Sequence, residues 1–188
     1  MKLTETVKQI ALLNLIIFII SYAMDFSFYD QFALFPNGSE LFQPHQYITH
    51  MFLHASPAHL IFNMLAFLSF GSVVENYFGR NKFIVFYLLS GLGAALLHIV
   101  VTGSQSPMVG ASGAIFGVLA IAAILNPEQK FHLFFIIPIK SKIIIPLILG
   151  VELYFGLMYP GDHVAHFAHI GGALTGTLFY LGNKFIKK

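Results

Sequence analysis

Apolar residues run along this chain in long blocks rather than in alternation. Six blocks stand out, at about residues 10–24, 57–77, 82–101, 112–125, 143–159 and 164–181. A helix needs roughly 20 apolar residues to cross a bilayer, with about 17–25 usual. Barrel strands would alternate apolar and polar positions, so unbroken blocks predict spanning helices. The fourth block, Ser112–Leu125, is short. It is expected to start below the membrane surface, with the loop before it dipping in. Irregular backbone at that depth is tolerated only under cover of protein or a water cavity. Pro138 and Pro146 are expected to begin and bend the fifth span. The joint Asp25–Ser56 is long and carries Phe26, Phe28, Tyr29, Phe32, Phe35 and Phe42, which predicts that it lies at headgroup level.

Composition turns this pattern into a membrane protein. The chain of 188 residues is 57% hydrophobic and 10% charged, whereas a soluble domain carries about 25% charged residues. No room is left for a separate soluble domain, so residues 1–188 read as one transmembrane domain. The basic start before the first block resembles a secretory signal. Tyr22–Ala23–Met24–Asp25 is a poor cleavage site, however, and the first block is read as a retained span. Cysteine is absent, which excludes disulfides, thiolate metal sites and cysteine nucleophiles. A net charge of +2 without a basic stripe excludes a nucleic-acid partner.

Charge also orients the bundle. The ten basic residues are Lys2, Lys8, Arg80, Lys82, Lys130, Lys140, Lys142, Lys184, Lys187 and Lys188. With six spans and an inner N-terminus, every one falls on the cytoplasmic side, and both termini are cytoplasmic. The outer pieces are then Asp25–Ser56, Thr102–Ala111 and Pro160–His163.

Polar groups inside the bilayer are costly and need a reason. Five matter here: His59, Asn63, Ser112, Glu152 and His169. His59 and Asn63 are four residues apart, so they share a helix face near the outer end of span two. Ser112 opens span four from outside, and His169 lies about 8 Å into span six. Three spans therefore deliver these side chains to one shallow layer under the outer surface. The set suits acyl transfer. Serine needs a neighbouring base, and His169 is the candidate. The N–H of Ser112, at the positive end of a helix, can face a developing oxyanion, and so can His59 and Asn63. Gly113-xxx-Gly117 and Gly172-xxx-Gly176 give spans four and six small faces for close packing.

Other readings stand beside this one. Ser112 can be a packing residue, and His59 with Asn63 a structural pair. His163, His166 and His169 are spaced by three, as metal ligands could be, which would make a histidine-rich metal-binding or transport bundle. No acidic residue or cysteine accompanies them in sequence, so no metal and no cofactor are expected. His163 is assigned to a loop and His166 to the interface near a cavity mouth. Glu152 lies at the depth of His169. It can line a cavity, orient a histidine or gate span five. A neutral or water-facing carboxyl is the preferred reading.

Gly110-x-Ser112-Gly113, Ala168-His169-x-Gly171-Gly172 and His59-x-x-x-Asn63 resemble the three signatures of the rhomboid intramembrane serine proteases. Gln43-Pro44-x-Gln46, and Glu75 with Gly79-Arg80, are similar to that family too. The resemblance covers about Gln43 to Gly176. It implies a six-span helical bundle cutting single-span membrane proteins near the outer face of the lipid bilayer. It implies a Ser112–His169 dyad without an acid, and an oxyanion hole of His59, Asn63 and the Ser112 N–H. Gly110, Gly113, Phe116 and Gly172 would support the site. Some members place a tyrosine at the position of Phe116; phenylalanine keeps the ring that packs on the histidine. Span five resembles the family's lateral gate, and the small six-span form resembles bacterial plasma-membrane members. Both dyad residues are present, unlike in inactive relatives, although a non-proteolytic rhomboid-like protein stays an alternative.

Overall fold

The computed structural model describes residues 2–24, 26–103, 106–133, 136–159 and 164–186. Each of the six apolar blocks coincides with a helix. These are α1 (Glu5–Ala23), α4 (Pro57–Phe78), α5 (Arg80–Thr102), α6 (Ser112–Leu125), α7 (Ser141–Met158) and α8 (His166–Ile186). Two short helices, α2 (Phe26–Phe32) and α3 (Gln46–Thr49), lie in the long joint, and a 3-10 turn over His50–Phe52 follows them. Among the described residues, α1, α4, α5 and α7 are long and apolar enough to cross a membrane, and α6 is a shorter apolar helix. The chain is an integral membrane protein.

Local chemistry sets the helix ends. Ser56 caps α4 by accepting the His59 N–H at 3.2 Å, with Pro57 in the first turn. Helix α1 starts at Glu5, five residues before its apolar block. The reason is Glu75 on α4, whose carboxylate accepts the Val7 N–H at 3.2 Å and the Thr4 hydroxyl. That satisfies donors a helix start leaves unpaired.

The joint after α6 is not a plain loop. Strands β1 (Lys130–Leu133) and β2 (Ile137–Lys140) pair antiparallel there. Pro138 lies in β2 and does not begin the fifth span. That helix starts at Ser141, whose N–H and hydroxyl both bond the Gln129 carbonyl at 2.8 Å. Glu128 pairs with Lys140 and Lys142 and ties the hairpin to the base of α7. Pro146 lies inside α7.

Helix α6 is the centre of the bundle. Gly113 through Ala122 are all buried, with α4, α5 and α8 around them. Phe67 and Phe70 from α4 and Phe83, Phe86 and Tyr87 from α5 join Val118 and Ile121 in one core. Helices α6 and α8 approach so closely that a Cβ on Gly172 would lie 1.8 Å from the Gly113 carbonyl oxygen. Only glycine permits that approach.

At the start of α6 the segments that precede α4 and α6 lock together. Leu34 and Met108 exchange backbone hydrogen bonds of 3.0 and 2.8 Å. The Gly110 N–H donates to the His50 carbonyl at 2.9 Å. Gln46 is fully buried: its Nε2 donates to the Leu41 carbonyl at 2.9 Å, and its Oε1 accepts the N–H groups of Gln43 and Phe35.

Candidate active site

Ser112 is the first residue of α6, and His169 lies in the first turn of α8. The glycine seam between the two helices brings the side chains together. Ser112 Oγ lies 2.8 Å from His169 Nε2, a hydrogen bond between residues 57 apart in sequence. Phe116, one turn further along α6, stacks flat on the imidazole with centroids 4.3 Å apart and planes 10° apart. The ring therefore has its plane fixed from below and its Nε2 fixed by the serine.

His59 reaches the same place from α4. A Cβ on Gly110 would lie 2.9 Å from His59 Cε1, 3.0 Å from His59 Nε2 and 3.7 Å from Ser112 Oγ. Gly110 has φ +131°, outside the range of L side chains. Its conformation turns the chain into α6 while leaving room for the His59 ring. Asn63, one turn below His59, is buried, and its Nδ2 has no hydrogen-bond partner. A buried donor without an acceptor is costly in a resting protein.

Glu152 is the residue that the sequence places only by depth. It projects from α7, and its Oε2 lies 2.6 Å from His166 Nδ1, a hydrogen bond. The same oxygen lies 2.7 Å from His169 Nδ1. This second contact is at ion-pair distance without hydrogen-bond alignment, and Nδ1 has no hydrogen-bond partner. His166 is buried. Two expectations change. The histidines do have an acidic companion, because α7 supplies it. The carboxyl is not simply water-facing, since it is shared between two imidazoles. Glu152, His166 and His169 offer metal-ligand atoms within 4.8 Å of one another, a carboxylate–imidazole set of the kind zinc accepts. His163 and the outer piece Pro160–His163 lie outside the described residues.

Two further histidines, His50 and His54, are buried between α3 and α4. His50 Nδ1 bonds the Gln46 carbonyl at 2.8 Å, and the His54 carbonyl accepts the Tyr29 hydroxyl at 2.6 Å. Burial pushes both imidazoles down to about 4, so both are neutral at ordinary pH. His54 meets the His59 ring edge to face at 5.1 Å.

The fold and this cluster define a class: a helical membrane protein with a serine–histidine pair held across two glycine-packed helices. Residues 41–183 match the Rhomboid domain, and the chain belongs to the rhomboid family. It is similar to Rhomboid protease GluP of Bacillus subtilis (strain 168), at 34% identity over 129 residues, 69% of this chain and 24% of that protein. RHOMBOID-like protein 4 of Arabidopsis thaliana is 39% identical over 127 residues, 67% of this chain and 30% of that one. Rhomboid-like protein 11, chloroplastic, of the same plant is 32% identical over 149 residues, 75% and 53% respectively. The chain spans about a quarter to a half of the length of these curated relatives.

Proposed function

We propose that this protein is an intramembrane serine endopeptidase that cuts single-span membrane proteins near the outer face of the bilayer. Ser112 is the nucleophile and His169 the general base. The observation that carries the reading is the 2.8 Å hydrogen bond from Ser112 Oγ to His169 Nε2. A weak nucleophile within reach of an imidazole, itself held by a stacked ring, is an arrangement made for acyl transfer. His169 takes the serine proton as Oγ attacks the scissile carbonyl, then gives it to the leaving amine. The Ser112 N–H, His59 and Asn63 receive the oxyanion; the unpaired Nδ2 of Asn63 supports that role. Water then takes the place of the amine and releases the acyl group.

The proposed topology is six spans, α1 and α4 to α8, with both termini cytoplasmic and residues 1–188 forming one domain. It rests on the ten basic residues, all of which this topology puts on one side. The proposed address is a bacterial plasma membrane, supported by the similarity to a protein of Bacillus subtilis; other relatives carry chloroplast and mitochondrial names. Substrate chemistry follows the family: a transmembrane segment that enters sideways and unwinds. The test is cleavage of a model single-span substrate in liposomes by the protein and by its Ser112→Ala and His169→Ala variants. Cleavage is expected to vanish in both; undiminished cleavage in either overturns the assignment.

A further inference from the structure

We infer that Glu152 is a positioning residue for the catalytic histidine, so that the site is a Ser112–His169–Glu152 relay with His166 as its anchor. The inference rests on the proteolytic reading above and adds a member that the dyad does not include. Its basis is where Glu152 Oε2 lies: 2.6 Å from His166 Nδ1 and 2.7 Å from His169 Nδ1, while His169 Nε2 faces Ser112 Oγ at 2.8 Å. A line of contacts thus runs from α6 through the imidazole of α8 to a carboxylate on α7.

Chemistry gives the carboxylate two tasks. A neutral imidazole carries one proton, on Nδ1 or on Nε2. Only the form protonated at Nδ1 leaves Nε2 free to accept the serine proton. A carboxylate beside Nδ1 can only accept, so it selects that form. When Oγ attacks, its proton moves to Nε2 and the ring becomes a cation. Glu152 then faces that positive charge across 2.7 Å in a site screened from bulk water. As the tetrahedral intermediate collapses, the proton leaves from Nε2 to the departing amide nitrogen. The Nδ1 proton stays in place throughout, and Glu152 remains ionised at both ends of the step.

His166 explains how a carboxylate on a largely exposed helix is held there. Its Nδ1 donates to Oε2, and Phe155 stacks beside its ring at 5.9 Å. The misaligned contact to His169 belongs to the resting enzyme. Catalytic hydrogen bonds are often long or poorly aligned before substrate binds, and they tighten in the reacting complex. His59 from α4 and His98 from α5 also stand within electrostatic reach of His169. Neither is acidic, so among the described residues facing His169 the carboxylate comes from Glu152.

The experiment compares the full chain with Glu152→Gln, Glu152→Asp and His166→Gln in liposomes, with Ser112→Ala as the blank. Glu152→Gln keeps the shape and removes the charge. It should lower kcat about 10- to 100-fold, a part of what general-base catalysis contributes, and leave KM unchanged. Glu152→Asp should recover part of that loss, and His166→Gln should lose several-fold. Reaction of Ser112 with a fluorophosphonate should slow in parallel with kcat. A purely structural carboxyl predicts instead that Glu152→Gln keeps the wild-type kcat, and that result overturns the proposal. If Glu152→Gln does not fold, 15N NMR of the histidine-labelled wild-type protein decides. His169 protonated at Nδ1 upholds the relay, and His169 protonated at Nε2 overturns it. Failure of the protease reading has a different signature, since the wild-type chain would then not cleave at all, or Ser112→Ala would cleave as well as it does.

Discussion

Where Gly110 would carry a Cβ, three atoms already stand: two of the His59 ring and the Ser112 hydroxyl, at 2.9 to 3.7 Å. Its positive φ adds strain for any other residue, about 1–3 kcal/mol. Gly110→Ala should therefore cost stability and also displace the His59 ring, and with it the oxyanion donor proposed above. We expect a loss in kcat of about 100-fold or more, of the size seen when one oxyanion donor is removed. Asn63 predicts the reverse pairing of effects. Its Nδ2 is buried without a partner, so deleting it removes a desolvation cost of about 1–3 kcal/mol that offsets the lost packing. Asn63→Ala should melt near the wild-type temperature while kcat falls about 100- to 1,000-fold. Calorimetry beside a cleavage assay separates the two; a destabilised but active Asn63→Ala would remove Asn63 from the site.

At the scale of elements, the segment between α1 and α4 is a clamp on the loop that leads into α6, and histidine burial makes it sensitive to acid. His50 titrates near 4 in the folded protein against about 6.5 when exposed. Its contribution is thus fully present above pH 6.5 and disappears as pH falls towards 4. Over that window the clamp should lose on the order of 3 kcal/mol. His54 acts in the same direction. Proteolytic nicking of the segment between α1 and α4 should accelerate from pH 7 to pH 4.5. His50→Gln, which cannot gain the charge, should flatten part of that rise. The clamp itself was hidden in the sequence, because it is built from side chain to backbone bonds such as those of Gln46, which follow no periodicity. The six apolar helices are legible because apolar blocks announce them whatever they pack against. Strands of four residues are not, and Pro138 looks like a helix start. Charge and span counting give Glu152 its depth but not its azimuth about α7. A residue at the right depth can face lipid, cavity or neighbour, and only the packing of α7 on α8 turns it towards two histidines.

Across the whole molecule, the Ser112–His169 contact depends on how closely α6 and α8 approach. A Cβ on Gly172 would fall 1.8 Å from the Gly113 carbonyl oxygen and 2.6 Å from its carbon, backbone atoms with nowhere to go. Gly172→Ala should force the helices apart, lower the melting temperature and abolish the Ser112–His169 contact together. Gly150 on α7 and Gly182 on α8 have nothing within 4 Å of their missing Cβ. Alanine there should leave activity intact and raise stability by about 0.5–1 kcal/mol through helix propensity. Thermal unfolding of the three variants checks the contrast. Only four of the 18 residues of α7 are buried, Ser141, Ile144, Ile145 and Gly156, so most of this helix is left uncovered by the rest of the chain. Yet it is the helix that carries Glu152. A change in bilayer thickness that tilts α7 would move the carboxylate against a histidine fixed on α8, and lipid composition would then tune turnover without touching the serine.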